Sequence, residues 1–401
     1  MLDNNELKEV VRTDLPERFS ELGFLKRNWS RILNTFDGNV LPPYEILIHT
    51  SSICNLYCKW CIGNHVADKQ SKNGLIENNL SDIDNMKKVV AGILNYKKLG
   101  KDYENNTTKE FKVENVSFSG ITGEPMVSKE AILYAIKELS ENGLRVGMFT
   151  NGTLLTEETH DIILKMAYVL ISIDAGKEET YSKLKCDGRN LNMLNKVFEN
   201  IKNLSDKKKL VNSNLDINIG YIINQYNYNE IYELAVKLKK LGVHYFRIKT
   251  DIASEMLMND KQVEEAKSQI EKAKKELTDD NFEIVEIHKL GDEKQKRRNF
   301  NKCFIHYLMG AISSDGRVYP CNYHPKPNGF SYDSAIEKDF SEIWNNLMNY
   351  DIDNDIPMIC PDRCDPFKNR TNKMLEVAYK IYKEKGINYL KECMDEIENE
   401  K

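Results

Sequence analysis

The sequence predicts an α/β fold whose core is a parallel β-sheet, arranged as a doubly wound layer or as a complete or partial barrel. Six short apolar segments between residues 45 and 249 predict buried strands, and amphipathic helical segments separate them. Because parallel strands need long crossover connections, this alternation indicates a parallel sheet. In either arrangement ligands bind where the strands end, so the side chains at those ends are the first candidates for a functional site.

The first element is a helical, polar leader over residues 4–38, which Leu41-Pro42-Pro43 separates from the sheet. Strands are predicted over Glu45–Thr50, Val113–Ser119, Arg145–Thr150, Val169–Ile173, Asp216–Ile223 and His244–Lys249. Helices are predicted over Asp82–Tyr96, Lys129–Asn142, Glu157–Met166, Leu191–Leu204 and Tyr228–Leu241. Residues 101–109 are predicted to be a polar insert before the second strand.

The pattern changes beyond Thr250. A long charged helix is predicted over Glu255–Leu277 and a short strand over Phe282–Ile287, followed by a basic run. Four cysteines then accompany a hairpin whose turn is predicted at Ser314-Asp315-Gly316. We therefore predict a leader (1–43), a strand–helix domain (44–251), a helical linker (252–300) and a small C-terminal domain of a β-hairpin plus helices (301–401).

The composition is that of a folded protein without a strong overall field. The 401 residues include 57 Lys and Arg and 62 Asp and Glu, which gives a formal charge of -5. This balance offers no general attraction for nucleic acid or for an anionic membrane. The longest apolar runs are too short to cross a bilayer, and the first residues lack a signal-peptide pattern, so a cytoplasmic location is expected.

Nine cysteines are present, an odd number that disfavours a disulfide framework, and their clustering points to metal. Cys54, Cys58 and Cys61 form a C-x3-C-x2-C group directly after the first predicted strand. Thiolates are soft ligands suited to zinc or to iron–sulfur clusters. Zinc normally takes a fourth protein ligand, whereas three thiolates on one loop fit a [4Fe–4S] cluster with one iron left open. Three reduced core thiols are the structural alternative.

This loop resembles that of the radical S-adenosylmethionine (SAM) superfamily, and the resemblance spans about residues 44–251. It implies a partial (β/α)6 barrel, similar to a TIM barrel. It further implies that the open iron binds the amino and carboxylate groups of SAM. One electron from the cluster then cleaves SAM to methionine and a 5′-deoxyadenosyl radical, which abstracts hydrogen from the substrate. A flavodoxin- or ferredoxin-type protein is the electron donor that such chemistry implies.

The resemblance also assigns SAM contacts. The segment ending in Gly123-Glu124-Pro125 resembles the family's GGEP motif, although Ile-Thr-Gly stands here in place of Gly-Gly. Glu124 would accept hydrogen bonds from the SAM ammonium. Thr150 and Asn151 after the third strand, and Ser172 and Asp174 after the fourth, suit the ribose hydroxyls. The adenine would lie near Trp60 and Ile222 or Ile223. A turn, a helix N-terminus and a helix cap are the ordinary structural alternatives for these residues.

A second cysteine group consists of Cys303, Cys321, Cys360 and Cys364. Four thiolates close either a zinc ribbon or an iron–sulfur cluster completely. The stretch from Cys303 through Gly316 to Cys321, with the later Phe340–Asn345 segment, resembles the SPASM/twitch domain of this superfamily, and four cysteines match its twitch form with one auxiliary [4Fe–4S] cluster. Of the two remaining cysteines considered, Cys393 is expected to be structural, and Cys186 is either structural or substrate-facing.

A fully ligated auxiliary cluster has no vacant iron, so we expect it to accept an electron from a substrate radical, giving a net two-electron oxidation. The predicted protein is therefore a radical SAM oxidoreductase with SAM and two [4Fe–4S] clusters. Its expected substrate is a polar small molecule, a sugar or cyclitol alcohol. A peptide-modifying maturase is the alternative enzyme, and a zinc-ribbon binding protein without catalysis is the alternative from another class.

Two cations at the end of the sixth predicted strand are further candidates. Arg247 and Lys249 alternate with the apolar Phe246 and Ile248, so they are predicted to face the barrel interior. There they would contact the SAM carboxylate or the substrate, or form a salt bridge with Asp251 or Asp174. His49 is expected to be a buried histidine with satisfied hydrogen bonds.

Overall fold

A nine-stranded sheet forms the core of the described part of the protein. In the computed structural model of the chain, the described residues are 4–12, 14–61, 76–119, 123–189, 192–251, 256–290, 298–325, 330–349, 360 and 364–399. The strands, in chain order, are β1 (Glu45–Ile48), β2 (Lys97–Asp102), β3 (Thr107–Lys112), β4 (Asn115–Phe118), β5 (Arg145–Thr150), β6 (Tyr168–Ser172), β7 (Asp216–Ile223), β8 (Tyr245–Thr250), β9 (Glu283–Glu286), β10 (Met309–Ile312) and β11 (Val318–Tyr319).

The main sheet has the order β11-β10-β1-β4-β5-β6-β7-β8-β9. Its neighbours from β10 to β9 are all parallel, and only β11 is antiparallel. The six predicted strands are adjacent and follow chain order, as in one wall of a (β/α) barrel. Because the sheet has two free ends in this order, the α/β fold is a partial barrel, and the predicted fold class is confirmed.

The helices are α1 (Asn4–Val10), α2 (Glu21–Arg27), α3 (Trp29–Phe36), α4 (Ile83–Asn95), α5 (Lys129–Glu141), α6 (His160–Ile163), α7 (Glu178–Lys185), α8 (Met193–Leu210), α9 (Ile231–Lys240), α10 (Asp260–Leu277), α11 (Ile305–Leu308), α12 (Phe340–Asn345) and α13 (Pro366–Asn399). Helix α4 illustrates their origin. The Asp82 carboxylate caps its first turn by accepting from the Asp84 and Asn85 amides, and one apolar face, from Met86 to Ile93, is buried.

Three local predictions are corrected by the structure. Residues 101–109 are not a loop insert but belong to the hairpin of β2 and β3. The helix predicted over Glu157–Met166 shrinks to α6, because the chain leaves it through i to i−3 bonds at Lys165 and Met166 and enters β6. Helix α8 extends to Leu210 through a run of lysines, which favour the C-terminal end of a helix.

The leader is helical, but it is less polar than predicted. All eight residues of α3 are buried. Phe36 packs edge-on against Phe304 and Tyr379, whose ring centroids both lie 5.2 Å away. Helix α1 also packs against α13. The N-terminal and C-terminal segments therefore share one core.

The sheet crosses the domain boundary predicted near residue 300. β9 pairs with β8, so the predicted short strand extends the barrel. The predicted hairpin is formed by β10 and β11, with Gly316 at a φ of 80° in its turn. β10 also pairs in parallel with β1, Glu45 lying opposite Met309. The division into four segments stays a prediction. Within the described ranges, no helix is both long enough and apolar enough to cross a membrane.

Candidate active site

The three-cysteine loop follows β1 and is fastened to the end of α7. The amide of Tyr57 donates to the Lys185 carbonyl at 2.8 Å, and the amide of Lys59 donates to the Leu184 carbonyl at 3.1 Å. Cys54, Cys58 and Cys61 are all half-buried and none forms a disulfide. Burial raises the pKa of the Cys58 thiol, and the Lys185 ammonium acts against that increase. The loop thus presents three thiols, and hydrogen bonds to the end of α7 fix its backbone.

The segment that begins at Gly123 packs directly on this loop. A Cβ at position 123 would lie 2.2 Å from the Ser51 carbonyl oxygen and 2.6 Å from that of Ile53, so only glycine fits. The Glu124 amide donates to the Ile53 carbonyl at 2.9 Å. The substituted residues Ile121 and Thr122 lie outside the described residues. Gly123 therefore has a packing requirement that agrees with its predicted place beside the cysteine loop.

Glu124 is 2% exposed and connects three strand ends. Its carboxylate accepts from the Thr150 hydroxyl at 2.5 Å, from the Asn151 amide at 2.8 Å and from the Met126 amide at 3.2 Å. Burial raises the pKa of this carboxyl, and these donors oppose the increase. The Met126 contact caps a 3-10 turn, so the ordinary capping role is present together with the link to Thr150 and Asn151.

Asn151 extends this hydrogen-bond network to the cysteine loop. Its side-chain amide donates to the Asn55 side-chain oxygen at 2.8 Å, and the Asn55 amide donates to the Thr153 hydroxyl at 2.8 Å. Asn55 adjoins Cys54. The residues predicted from two separate motifs thus form one hydrogen-bonded network, and Asn55 and Thr153 are members that the sequence analysis did not assign.

Asp174 forms a buried ion pair. Its carboxylate lies 2.7 Å from the Lys185 ammonium, with side-chain exposures of 4% and 2%, and it also accepts from the Ile222 amide at 2.7 Å. Of the two carboxylates expected as alternative partners of Arg247 or Lys249, Asp174 is therefore paired with Lys185 instead. Asp174 has a φ of 56°, and it holds β7 rather than capping α7, whose N-cap is Lys177. Lys185 is a residue that sequence reasoning missed.

Trp60 and Ile222 are brought together as predicted for two residues near one ligand. Trp60 is buried in a small cluster with Leu184 and Met256, and Ile222 packs against that cluster. Ser172 lies opposite Gly220 in the neighbouring strand, and Gly220 lies opposite Arg247. His49 is buried: its Nδ1 lies 3.2 Å from the Ser119 carbonyl, and Nε2 has no hydrogen-bond partner, so the expected full satisfaction is wrong.

The four cysteines of the second group come together between α11, the hairpin and α13. The charges of these thiols act on one another: Cys321 raises the pKa of Cys303, Cys360 and Cys364 in addition to the larger effect of burial. Asn372 donates to the Cys303 sulfur at 3.4 Å, and the Cys360 sulfur lies 3.5 Å from His324 Nε2. His324 is a neighbour of this group that the sequence analysis did not assign.

The two groups could in principle hold single ions or clusters. In the described part of the chain, no three His, Cys, Asp or Glu side chains converge closely enough to hold one metal ion. The ligands of a zinc ion meet at one point, whereas each thiolate on a [4Fe–4S] cluster binds a different iron. Thiolates are soft ligands that suit such clusters. Cys393 is buried between apolar residues of the core, as expected of a structural cysteine, and Cys186 is also buried.

A cavity of about 380 Å³ fills the lumen of the partial barrel. Arg247 and Lys249 line it, in agreement with their predicted direction, as do Glu45, Tyr168 and Asp365. Burial lowers the pKa of Arg247 to about 10 and that of Lys249 to about 8. A larger groove of about 510 Å³ lies outside the barrel between α4, α5 and the β2–β3 hairpin, and no predicted site residue lines it.

Much of the cavity lining comes from residues that begin the strands, such as Glu45 and Tyr168, on the side of the sheet away from the cysteine loop. Lys249 is the lining residue towards that loop, because it lies opposite Ile222, which packs near Trp60. Asp365, which follows Cys364, also forms part of the wall. The Ser117 hydroxyl donates to the carboxylate of Glu45, a residue that lines the cavity. The Ser117 hydroxyl oxygen also lies 2.7 Å from the Tyr168 hydroxyl oxygen.

Two family models match these two parts of the chain. Residues 48–215 match the radical SAM superfamily model, and residues 303–365 match the model of SPASM, an iron–sulfur cluster-binding domain. The chain belongs to the radical SAM superfamily. Residues 303–365 are a SPASM domain, and the iron–sulfur clusters that this domain binds favour a cluster over zinc for the second cysteine group.

Two curated relatives match the radical SAM chain at low identity. An S-adenosylmethionine-dependent nucleotide dehydratase from Fibrobacter sp. (strain UWH6) is 24% identical over 207 residues, 50% of this chain and 53% of that protein. The tungsten-containing aldehyde ferredoxin oxidoreductase cofactor-modifying protein of Pyrococcus furiosus is 25% identical over 199 residues, 49% of each chain. The chain thus spans about half the length of the curated relatives it matches.

Solved structures with the same fold extend over most of the radical SAM chain. Streptococcus suis SuiB bound to S-adenosylmethionine superposes with a TM-score of 0.55 at 15% identity, covering 90% of this chain and 77% of SuiB. The anSMEcpe structure with bound AdoMet and Cp18Cys peptide gives 0.52 at 15% identity, covering 89% of this chain and all of that one. These likenesses establish the fold of the barrel together with its C-terminal part.

The radical SAM and SPASM domains imply SAM, a [4Fe–4S] cluster and auxiliary iron–sulfur clusters. The residues present fit these groups. Cys54, Cys58 and Cys61 offer three soft thiolates on one loop, and the missing side chain at Gly123 lets the backbone beside Glu124 approach that loop. The first group of cysteines would hold the SAM-binding cluster, and the second group an auxiliary cluster.

Proposed function

We propose that this radical SAM enzyme oxidises a polar small molecule, a sugar or cyclitol alcohol, in the cavity of the partial barrel. The observation that carries the proposal is the cavity within the partial barrel, whose wall includes Lys249 of β8 and Asp365 beside Cys364. When bound, SAM and its cluster supply a 5′-deoxyadenosyl radical, and an auxiliary cluster accepts one electron. The proposal places the substrate between these two groups.

The chain's own residues have separable roles in this proposal. The Glu124, Thr150 and Asn151 network fixes the strand ends relative to the cysteine loop. Ser172 and Ile222 are proposed to contact the ribose and adenine, respectively, with Trp60 behind Ile222. Asp174 is proposed to act through its ion pair with Lys185, which holds the loop, and not by direct contact with the ribose.

Arg247 and Lys249 are proposed to bind the substrate, since both line the cavity from the same face of β8. Oxidation of an alcohol also releases the hydroxyl proton. Glu45 on the cavity floor, held by Ser117, is proposed to accept it. Burial raises the pKa of the Glu45 carboxyl and thereby favours proton uptake. A flavodoxin or ferredoxin is the proposed donor of the first electron.

The proposal is tested by separating the two cysteine groups. Anaerobically reconstituted protein should contain about eight iron atoms per chain, four in each cluster. Replacing Cys54, Cys58 and Cys61 by Ala should remove about half of the iron and all 5′-deoxyadenosine formation. Replacing Cys360 and Cys364 by Ala should keep 5′-deoxyadenosine formation but abolish products that have lost two hydrogens, as measured by mass spectrometry over a panel of sugars and cyclitols.

The matched control is Cys393→Ala, because Cys393 is buried and the charged and polar groups that act on it include no other cysteine. It should keep the full iron content and full turnover. Product formation at the normal rate after loss of Cys360 and Cys364 would contradict the proposed electron-acceptor role.

A peptide-modifying activity is the second candidate. It is supported by the fold shared with SuiB bound to its precursor peptide SuiA and with the peptide-bound anSMEcpe structure. The nucleotide dehydratase relative supports a small-molecule substrate instead. Peptides in the same mass-spectrometric panel distinguish the two candidates, because a peptide product with no sugar or cyclitol product would replace the first proposal by the second.

A further inference from the structure

The cavity contains two cations that the described protein leaves unpaired. No hydrogen bond or ion pair joins the Arg247 guanidinium or the Lys249 ammonium to another described residue, and Arg247 Nε is fully buried. The one described contact of the guanidinium is with the Phe19 ring, whose centroid lies 5.0 Å away. Buried charges are normally paired, because an unpaired charge loses its hydration without compensation. Arg247 and Lys249 are therefore exceptions to this rule, which indicates that a ligand supplies their counter-charge.

Other cations at the same barrel are paired. Arg18, which lines the same cavity, lies 3.4 Å from the Asp216 carboxylate. Lys185 is fully paired with Asp174. Arg18 and Lys185 therefore each have a carboxylate partner, whereas no described carboxylate lies within ion-pair distance of Arg247 or Lys249.

The carboxylates of the cavity wall are occupied elsewhere. Glu45 accepts from Ser117, and Asp216 is paired with Arg18. Asp365 accepts from the amides of Phe367 and Lys368 at 3.0 and 3.2 Å. The Asp365 carboxylate acts on Arg247 and Lys249 only at longer range, and among the described residues no carboxylate of the wall is close enough to form an ion pair with either cation.

The register of the sheet places these cations on the cavity side of β8. Ser172, Gly220 and Arg247 form one row across β6, β7 and β8, and Ile222 and Lys249 form the next row towards the strand ends. The position in front of Gly220 is filled by the Leu170 side chain, so the open space next to Arg247 and Lys249 is the cavity that both residues line. Arg247 lies one row deeper than the predicted SAM residue Ile222.

A third donor faces the same space. His288 lines the cavity and is 3% exposed, yet neither ring nitrogen has a hydrogen-bond partner among the described residues. Its nearest carboxylate oxygen, on Asp365, lies 3.7 Å from Nε2, beyond hydrogen-bond distance. An unpartnered imidazole beside two unpaired cations points to a ligand with several acceptor oxygens.

We propose that the substrate carries an oxyanion, a phosphate or a carboxylate, which binds to Arg247 and Lys249 with a hydrogen bond from His288. The inference rests on the proposed function only in placing the substrate in this cavity. A guanidinium and an ammonium bind oxyanions through charge-assisted hydrogen bonds, and the planar guanidinium does so with two parallel bonds. The substrate class then narrows from a neutral sugar to a phosphorylated or carboxylated one.

The test is isothermal titration calorimetry on anaerobically reconstituted, SAM-loaded protein. The probes are inorganic phosphate, glucose 6-phosphate, gluconate and glucose. At least one oxyanion should bind, and glucose should bind more weakly than either charged sugar. Whichever of glucose 6-phosphate and gluconate binds more tightly identifies phosphate or carboxylate as the preferred group. Arg247→Gln and Lys249→Met should each weaken that binding by about tenfold or more.

Arg18→Gln is the matched control, because Arg18 faces the same cavity but already has Asp216 as its partner. It should change the oxyanion affinity by no more than about twofold. The proposal would be overturned if the Arg247 and Lys249 variants bound the oxyanion as tightly as the unsubstituted protein. It would also be overturned if no oxyanion bound. Competition between phosphate and SAM would also overturn it, because the two cations would then belong to the SAM carboxylate.

A folding control keeps the result interpretable. Without an added oxyanion, the Lys249→Met variant should unfold at the same temperature as the unsubstituted protein or at a higher one, because the substitution removes an unpaired buried cation. A lower midpoint of thermal unfolding would show that Lys249 has a structural partner and would overturn the proposal. Formation of 5′-deoxyadenosine is measured in the same preparation. If 5′-deoxyadenosine forms but no oxyanion binds, only the oxyanion inference is wrong. If an oxyanion binds but no 5′-deoxyadenosine forms, only the proposed function is wrong.

Discussion

Lys185 and Asp174 illustrate how one residue pair serves several elements of this protein. The ion pair joins α7 to the end of β6, while the Lys185 carbonyl accepts from the cysteine loop and the Asp174 carboxylate accepts from β7. Burial alone would lower the pKa of Lys185, but the Asp174 carboxylate raises it overall. Lys185 therefore stays charged over the whole physiological pH range.

Lys185→Met should destabilise the protein, because it leaves the Asp174 carboxylate buried without its counter-ion. The expected loss is about 3–5 kcal/mol of the free energy of unfolding, measured by urea denaturation. Lys183→Met is the matched control on the same helix. Its side chain is exposed and its ammonium lies 3.9 Å from the Tyr226 ring centroid, so the substitution should change stability by no more than about 1 kcal/mol. Equal effects of the two substitutions would contradict the assigned ion pair.

The sequence predicted site residues well where a side chain follows a strand directly. Glu124, Thr150 and Asn151 meet because parallel strands end at the same edge of the sheet. Lys185 was missed because it stands in a polar segment, where a lysine ordinarily faces water. Its burial depends on the approach of β6, β7 and the cysteine loop, which no local pattern reports.

At the scale of elements, the long C-terminal helix α13 contains a defined break. Gly386 has φ 82° and ψ 177°, a conformation that other residues rarely adopt, and no atom lies within 4 Å of where its Cβ would be. The break is therefore a backbone requirement and not a packing requirement.

Gly386→Ala should lower the free energy of unfolding by about 1–3 kcal/mol, because alanine must adopt a strained conformation or straighten the helix. Urea denaturation measures the loss. Glu384→Ala, an exposed helical position two residues earlier, is the control and should change stability by less than about 0.5 kcal/mol. A Gly386→Ala variant as stable as the parent would show that the break is optional.

The prediction of elements succeeded for the six strands of the barrel, since buried parallel strands are short apolar runs such as Val169–Ile173. It failed for the partners of the last strands. β10 was assigned to a separate hairpin, but its other edge pairs with β1. Pairing between strands so distant in sequence has no local signal, so the sequence could indicate the strand and not its neighbour.

For the whole molecule, buried histidines make stability depend on pH. Burial lowers the pKa of His49 to about 4 and that of His288 to about 3, below the ordinary value of 6.5. Between pH 4 and 6.5 the unfolded chain therefore binds more protons at these positions than the folded chain. Stability is fully present above pH 6.5 and is lost as the pH falls towards the folded values.

His49→Leu should flatten this dependence. Each histidine that is protonated only in the unfolded chain contributes a slope of up to about 1.4 kcal/mol per pH unit between pH 4 and 6.5. Urea denaturation at pH 7.0 and 5.5 should therefore show a smaller difference in the variant than in the parent. The same difference in both proteins would show that His49 is protonated in the folded state.

The parallel pairing of β1 with β10 also sets the order in which the protein can be completed during synthesis. A ribosome releases β1 early, and β4 can cover one of its edges soon afterwards, but the other edge has to wait until the last quarter of the chain has emerged. Until then the nascent polypeptide carries an open strand beside its future cofactor loop. Premature termination before residue 309 would leave that strand available to chaperones, proteases or another copy of the same unfinished product.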